Sequence, residues 1–142
     1  MLTQREGADL VVLSQVNDRF PILVFLSGMD GSELSLRNHF EALATVFDVR
    51  CFCIPGNDAT SLTGLVQRLV ALLAVEKQSQ PDCPIYLCGE SFGACLALEA
   101  VSCRPDLFDR HQKTHHRDRL GSAIKERMER KKLDALVCDV FA

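Results

Sequence analysis

The sequence predicts an α/β protein: a parallel sheet with helical crossovers, followed by a basic helical tail. Three observations carry that expectation. Three apolar runs, "PILVFL", "VRCFCI" and "IYLC", each end in glycine or proline turn signals. Segments with apolar residues at helical spacing separate them. The composition then turns sharply basic after Asp109.

Taken in order, "GADLVVLSQ" offers a first, short strand. "PILVFLSG" (Pro21 to Gly28) is apolar without alternation, which fits a strand buried on both faces. From Glu33 onward, Leu36, Phe40, Leu43 and Phe47 recur at helical steps, with Ser32 or Ser35 as candidate caps. "VRCFCIP" (Val49 to Pro55) is the next strand. After the polar loop "GNDATS", Leu62, Leu65, Leu69 and Leu72 mark a second amphipathic helix. "QSQPDCP" is a loop, "IYLCG" a further buried strand, and "SFGACLALEAVS" a helix closed by Arg104-Pro105. Strand and helix alternate, so the crossovers are right-handed. The division expected is a body over residues 1–109 and a tail over 110–142, the latter with a possible terminal strand "LDALVCDV".

The chain of 142 residues is enough for one domain, and an apolar fraction of 47% with 25% charged residues excludes pure disorder. No apolar run approaches the ~20 residues of a membrane span. The first twenty residues include Glu6, Asp9 and Asp18 and have the features of neither a secretory signal nor a transit peptide, so the chain read alone is cytoplasmic. Seven cysteines, an odd number without a signal, read as buried thiols and not as a disulfide framework. Cys51 and Cys53 share a strand face, but their C-x-C spacing does not build a zinc site. Net charge is −3, yet Arg110 to Lys132 holds nine Lys/Arg against three Asp/Glu. An acidic body thus precedes a basic tail.

Gly89-Glu90-Ser91-Phe92-Gly93 is a G-x-S-x-G pentapeptide between a predicted strand and a predicted helix. There the serine is forced into a strained turn and its hydroxyl is pushed outward near a helix N-terminus, which favours developing negative charge. Small residues at Gly89 and Gly93 let that helix lie close to neighbouring strands. Ser91 is therefore a candidate nucleophile. The amide of Phe92 is a candidate oxyanion donor. A second donor would come from the loop "LSGMDGSE" if the "PILVFL" strand neighbours "IYLC", bringing Met29 or Asp30 beside Ser91.

Together, "FLSGMDGSELSL", "CFCIPGNDATSL" and "IYLCGESFGACLALEAV" resemble the α/β-hydrolase portion of plastid phytyl ester synthase-like acyltransferases, within the esterase/lipase/thioesterase group. The resemblance spans roughly Pro21 to Asp109. It implies a truncated α/β-hydrolase fold, with Ser91 as nucleophile and the Met29 and Phe92 amides as the oxyanion hole. It implies transfer of a fatty acyl group to a long-chain alcohol or diacylglycerol through an acyl-serine, in a plastid, with no cofactor or metal. Ser27 stands where the family usually has proline, and Ala94 where it usually has glycine.

The base is the open question of the sequence. His39 reads as a mid-helix surface residue. His111, His115 and His116 follow Ser91 in the required order but too soon for an intervening strand to return them to it. His111 and His115, four apart, read as solvated residues and not as metal ligands. Asp139 ends the possible terminal strand, where a triad acid can stand. The expectation is a chain that keeps the nucleophile half of the site and lacks, or has lost, the base half, so that its activity is impaired by truncation. The alternative is a non-catalytic remnant that binds acyl lipid, a membrane or lipid-droplet surface, or a protein partner. In the tail, Leu120, Ile124 and Met128 form a narrow apolar stripe ringed by positive charge. It reads as a helix packed on the body or lying on an anionic membrane. Without aromatic interleaving or a base-reading motif, nucleic acid is not an expected partner.

Overall fold

The computed structural model describes residues 7–28 and 36–108. Met29, Asp30, Ser32, Ser35, His111, His115, His116 and Asp139 lie outside the described residues, as does the tail over 110–142. The elements are β1 (Asp9–Val12), β2 (Ile22–Leu26), α1 (Phe40–Leu43), β3 (Asp48–Cys53), α2 (Leu62–Ser79), β4 (Ile85–Gly89) and α3 (Phe92–Cys103), closed by a 3-10 turn at Pro105–Leu107.

The strands lie in the order β1-β3-β2-β4. β2 pairs in parallel with both β3 and β4, in register Ile22 to Asp48 and Ile22 to Ile85. The expected neighbours are therefore in place: "PILVFL" lies beside "IYLC", with "VRCFC" on its outer side. β1 runs antiparallel to β3, so the parallel core carries one reversed edge strand. It is short and only half buried, as edge strands usually are.

The unbroken apolar run of β2 follows from its central place. Ile22, Val24 and Leu26 enter a core against α2 and α3. Leu23 and Phe25 enter a second core with Leu36, Leu43, Phe47 and Val49 on the α1 side. Both faces are dry, so no polar alternation is possible. Cys51 and Cys53 do share a face, packing on the α1-side core. There Phe47 and Tyr86 meet edge to face, centroids 6.0 Å apart.

α2 starts where Ser61 caps it, its hydroxyl accepting from the Gly64 amide at 3.2 Å. Its inner face is Leu65, Val66, Leu69 and Leu73. Leu62 is partly exposed and Leu72 sits at the margin, so the buried stripe is rotated slightly from the one expected. Asp58 fixes the loop before it, accepting from the Ala8 amide at 3.1 Å and the Thr60 amide at 2.8 Å. A hydrogen bond from the Thr60 side chain, followed by those from the Thr60 and Ala8 amides, holds its carboxyl below the ordinary aspartate range.

The helix expected to run through Phe47 is shorter in the structure. Regular α geometry covers only Phe40–Leu43, and residues 44–47 unwind in turns. Thr45 bonds its hydroxyl back to the Ala42 carbonyl at 2.7 Å, and the β-branched pair Thr45-Val46 disfavours another helical turn. His39 is consequently not mid-helix. It stands at the N-cap of α1, half buried, without a side-chain capping bond.

One feature of the core escaped the sequence reading. Asp48 and Arg50 lie on the α2 side of β3, 1% and 3% exposed. Arg50 Nη2 reaches Asp48 Oδ2 at 3.0 Å and Arg50 Nη1 reaches Glu76 Oε1 of α2 at 2.5 Å. Burial alone would lower the Arg50 pKa, but hydrogen bonds and charges from Asp48 and Glu76 prevail and raise it. The guanidinium is thus held charged, and it ties α2 to the sheet.

Candidate active site

β4 delivers the chain to the upper, carboxyl rim of the sheet. Its last rung is the Glu90 amide donating to the Leu26 carbonyl at 3.0 Å. The backbone then reverses at Ser91, with φ 53° and ψ −114°. Among the described residues Ser91 is the one non-glycine residue with positive φ. Such a conformation costs about 1–3 kcal/mol and persists only where surroundings enforce it. The Gly93 amide closes the turn onto the Glu90 carbonyl at 2.8 Å, and the Ala94 amide onto Ser91 at 3.0 Å.

Two glycines make the turn possible. A Cβ on Gly93 would overlap the Leu26 carbonyl, because the first turn of α3 rests directly on the end of β2. A Cβ on Gly89 would lie 2.6 Å from the Ala94 nitrogen and overlap the Gly93 carbonyl. Gly89 and Gly93 are therefore packing requirements of the elbow.

Ser91 occupies the N-cap of α3 but makes no capping bond. A serine there ordinarily sits in the extended region and folds its oxygen over an amide of the first turn. The left-handed backbone of Ser91 removes that option. The residue is exposed at the positive end of a helix that runs to Cys103. Phe92 packs its half-buried ring on the α2/α3 core. Its amide belongs to the first turn, where amides have no intrahelical partner.

The second strand-end loop arrives at the same place. A Cβ on Gly28 would lie 3.6 Å from the Ser91 Cβ and 3.6 Å from the Glu90 carbonyl oxygen. The loop that leads into Met29 thus begins in contact with the elbow, although Met29 and Asp30 themselves lie outside the described residues. Just before it, Ser27 is 1% exposed, and its hydroxyl has no hydrogen-bond partner among the described residues. His39 is the histidine that the described residues contain. The hydrogen bonds of its backbone stay in its own turn, to Leu36 and Leu43.

Other features fall elsewhere. A groove of about 400 Å³, lined by Leu13, Gln15, Val16, Phe20 and Phe40 among others, lies at the opposite rim, where β2 begins. No titratable side chain lines it. Among the described residues no group of three or more His, Cys, Asp or Glu could hold a metal ion. None of the described helices is long and apolar enough to cross a membrane.

Solved structures share this architecture. Est1E from Butyrivibrio proteoclasticus, solved with ferulic acid, superposes with a TM-score of 0.55 at 16% identity, over 72% of this chain and 45% of that one. A 2-hydroxy-6-oxo-6-phenylhexa-2,4-dienoate hydrolase from Rhodococcus gives 0.54 at 19% identity, over 72% and 40%. A haloalkane dehalogenase variant from Bradyrhizobium elkanii gives 0.54 at 18%, over 84% and 50%. The fold is that of the α/β-hydrolases. Within that fold, the chain is similar in sequence to two chloroplastic proteins of Arabidopsis thaliana. Identity is 40% over 87 residues with phytyl ester synthase 2 and 46% over 84 residues with phytyl ester synthase 1. These matches cover 61% and 59% of this chain but only 12% of each relative. No family model matches the chain.

Proposed function

We propose that this chain is an esterase/acyltransferase-type serine protein that accepts fatty acyl groups on Ser91. The observation that carries the reading is the Ser91 backbone: a strained, exposed, uncapped serine at the N-terminus of α3, with Gly28 against it. The similarity to phytyl ester synthases supports a fatty acyl ester as donor and a long-chain alcohol or diacylglycerol as acceptor, and a plastid as the place of action.

In the proposed step the Ser91 oxygen attacks the ester carbonyl carbon. The amides of Phe92 and Met29 stabilise the oxyanion, the bond to the alcohol breaks, and the alcohol leaves with a proton. An acceptor hydroxyl then attacks the acyl-serine and restores Ser91. The step also requires a base to take the serine proton, and the sequence offers no histidine whose place in the chain returns it to the elbow. Without one, a serine hydroxyl is a weak nucleophile at neutral pH.

A fluorophosphonate probe tests this directly. Near-stoichiometric labelling of Ser91, lost in Ser91→Ala together with turnover of a p-nitrophenyl acyl ester, is the expected result. If the folded protein takes no label and binds fatty acyl ester equally well as Ser91→Ala, the enzyme reading fails and the non-catalytic lipid-binding alternative stands.

A further inference from the structure

The elbow carries a charge that the acylation of Ser91 leaves unused. Two strand ends meet there, residues 26–28 at the end of β2 and 89–93 at the end of β4. Among those residues Glu90 has the one ionisable side chain, and it immediately precedes the candidate nucleophile. It is exposed, and its carboxylate forms no ion pair among the described residues.

The backbone beneath that side chain is fixed on both sides. The Glu90 amide donates to the Leu26 carbonyl at 3.0 Å, and the Glu90 carbonyl accepts from the Gly93 amide at 2.8 Å. The root of the side chain is thus held relative to Ser91, and only its own torsions are free.

Alternation along β4 gives the side on which it projects. Tyr86 and Cys88 pack in the α1-side core, and Leu87 packs in the α2/α3 core. Gly89 faces α3, where a Cβ would lie 2.6 Å from the Ala94 nitrogen. Glu90 keeps the ladder bond to Leu26, so the alternation continues through it and places it on the α1 side. The first-turn amides of α3, Phe92 among them, lie on the other side. Ser91 therefore stands between a positive helix end and a carboxylate.

Those two groups suit the two oxygens of an acyl transfer. The carbonyl oxygen gains negative charge and belongs with the amides. The oxygen of an attacking alcohol loses electron density, and an anionic acceptor meets its hydroxyl proton best. We propose that the Glu90 carboxylate binds the hydroxyl of an uncharged acceptor alcohol and aims its oxygen at the acyl group, a role that rests on acylation of Ser91. The acceptor oxygen bonds to the acyl carbon, the bond from that carbon to the Ser91 oxygen breaks, and the acceptor's proton ends on Ser91. Glu90 holds the hydroxyl through this exchange and keeps no proton.

The test compares the full 142-residue protein with Glu90→Gln. Fluorophosphonate labelling of Ser91 needs no acceptor and should proceed at the same rate in both. With a p-nitrophenyl acyl ester and added dodecanol, acyl groups partition between dodecyl ester and free acid. Water competes for an exposed carboxylate, so the ratio of ester to acid should fall by about threefold to tenfold in the variant. Half-maximal transfer should move to higher dodecanol. An unchanged ratio, with Ser91 labelled in both proteins, would overturn the role of Glu90 and leave the nucleophile standing. Labelling and transfer lost together in the variant would also overturn it, since Glu90 would then support the shape of the elbow. A parent chain that takes no label removes the acyl-serine, and the acceptor role falls with it.

Discussion

At the residue scale the molecule turns on the backbone of Ser91. Its positive φ is paid in stability and bears on reactivity. Ser91→Gly should therefore raise stability by about 1 kcal/mol in urea unfolding, because glycine adopts this conformation without steric cost. The same variant should lose fluorophosphonate labelling. Stabilisation with loss of reactivity is a signature that a merely structural turn would not give. The glycines around it divide by space. Gly93→Ala should destabilise by about 3 kcal/mol or more, since its Cβ meets the Leu26 carbonyl, which belongs to the sheet and cannot yield. Gly28→Ala, with ordinary 3.6 Å contacts, should cost less than about 1 kcal/mol. If the two alanine variants unfold alike, the close seating of α3 on β2 is wrong. The G-x-S-x-G spelling made this turn legible in the sequence. The burial of Ser27, whose hydroxyl has no hydrogen-bond partner among the described residues, was not legible, because burial of one residue in a strand-end loop depends on what packs over it.

At the element scale, the apolar runs and helical spacings located β2, β3, α2, β4 and α3 to within a residue or two. Their ends coincide with strong local signals: Pro55-Gly56, the Ser61 cap and Arg104-Pro105. α1 was read too long because Leu36, Phe40, Leu43 and Phe47 do all become buried or nearly so, but in turns and not on one helix face. Spacing reports which residues seek the core, and a winding turn can satisfy the same spacing. The Asp48–Arg50–Glu76 network was missed for a related reason. Its one signal was the alternation of charged residues at two-residue spacing in an apolar strand, and nothing local says that α2 supplies the third partner. Arg50→Met should destabilise by about 3 kcal/mol or more, because Asp48 would remain buried without its counter-charge. Glu76→Gln should cost about 1 kcal/mol, since Glu76 is 26% exposed and water can replace part of the interaction. Urea midpoints of the two variants give the comparison.

At the scale of the whole molecule, two dry cores on either side of one sheet make unfolding cooperative. Thiol chemistry reads that cooperativity. Cys95 and Cys103 are exposed on α3 and should alkylate in the folded state. Cys83 is buried, its thiol donating to the Phe20 carbonyl at 3.4 Å, and burial pushes its pKa up. The thiolate is the reactive form, so Cys83 should label only as fast as the whole domain opens. Alkylation followed by peptide mass analysis across a urea series checks this. Early labelling of Cys83 would mean that the β4 region opens separately.

The amino-acid sequence by itself determined the α/β class, the succession of strands and helices and the place of the serine turn. Each of those is written in local periodicity or in residues with restricted backbones. Tertiary structure alone decided that β1 runs antiparallel, that Arg50 is buried with two carboxylates, that Gly28 lies against Ser91 and that β2 stands between β3 and β4. Those facts concern residues far apart in the chain, and contact between distant segments is set by packing and strand pairing, which local periodicity does not encode.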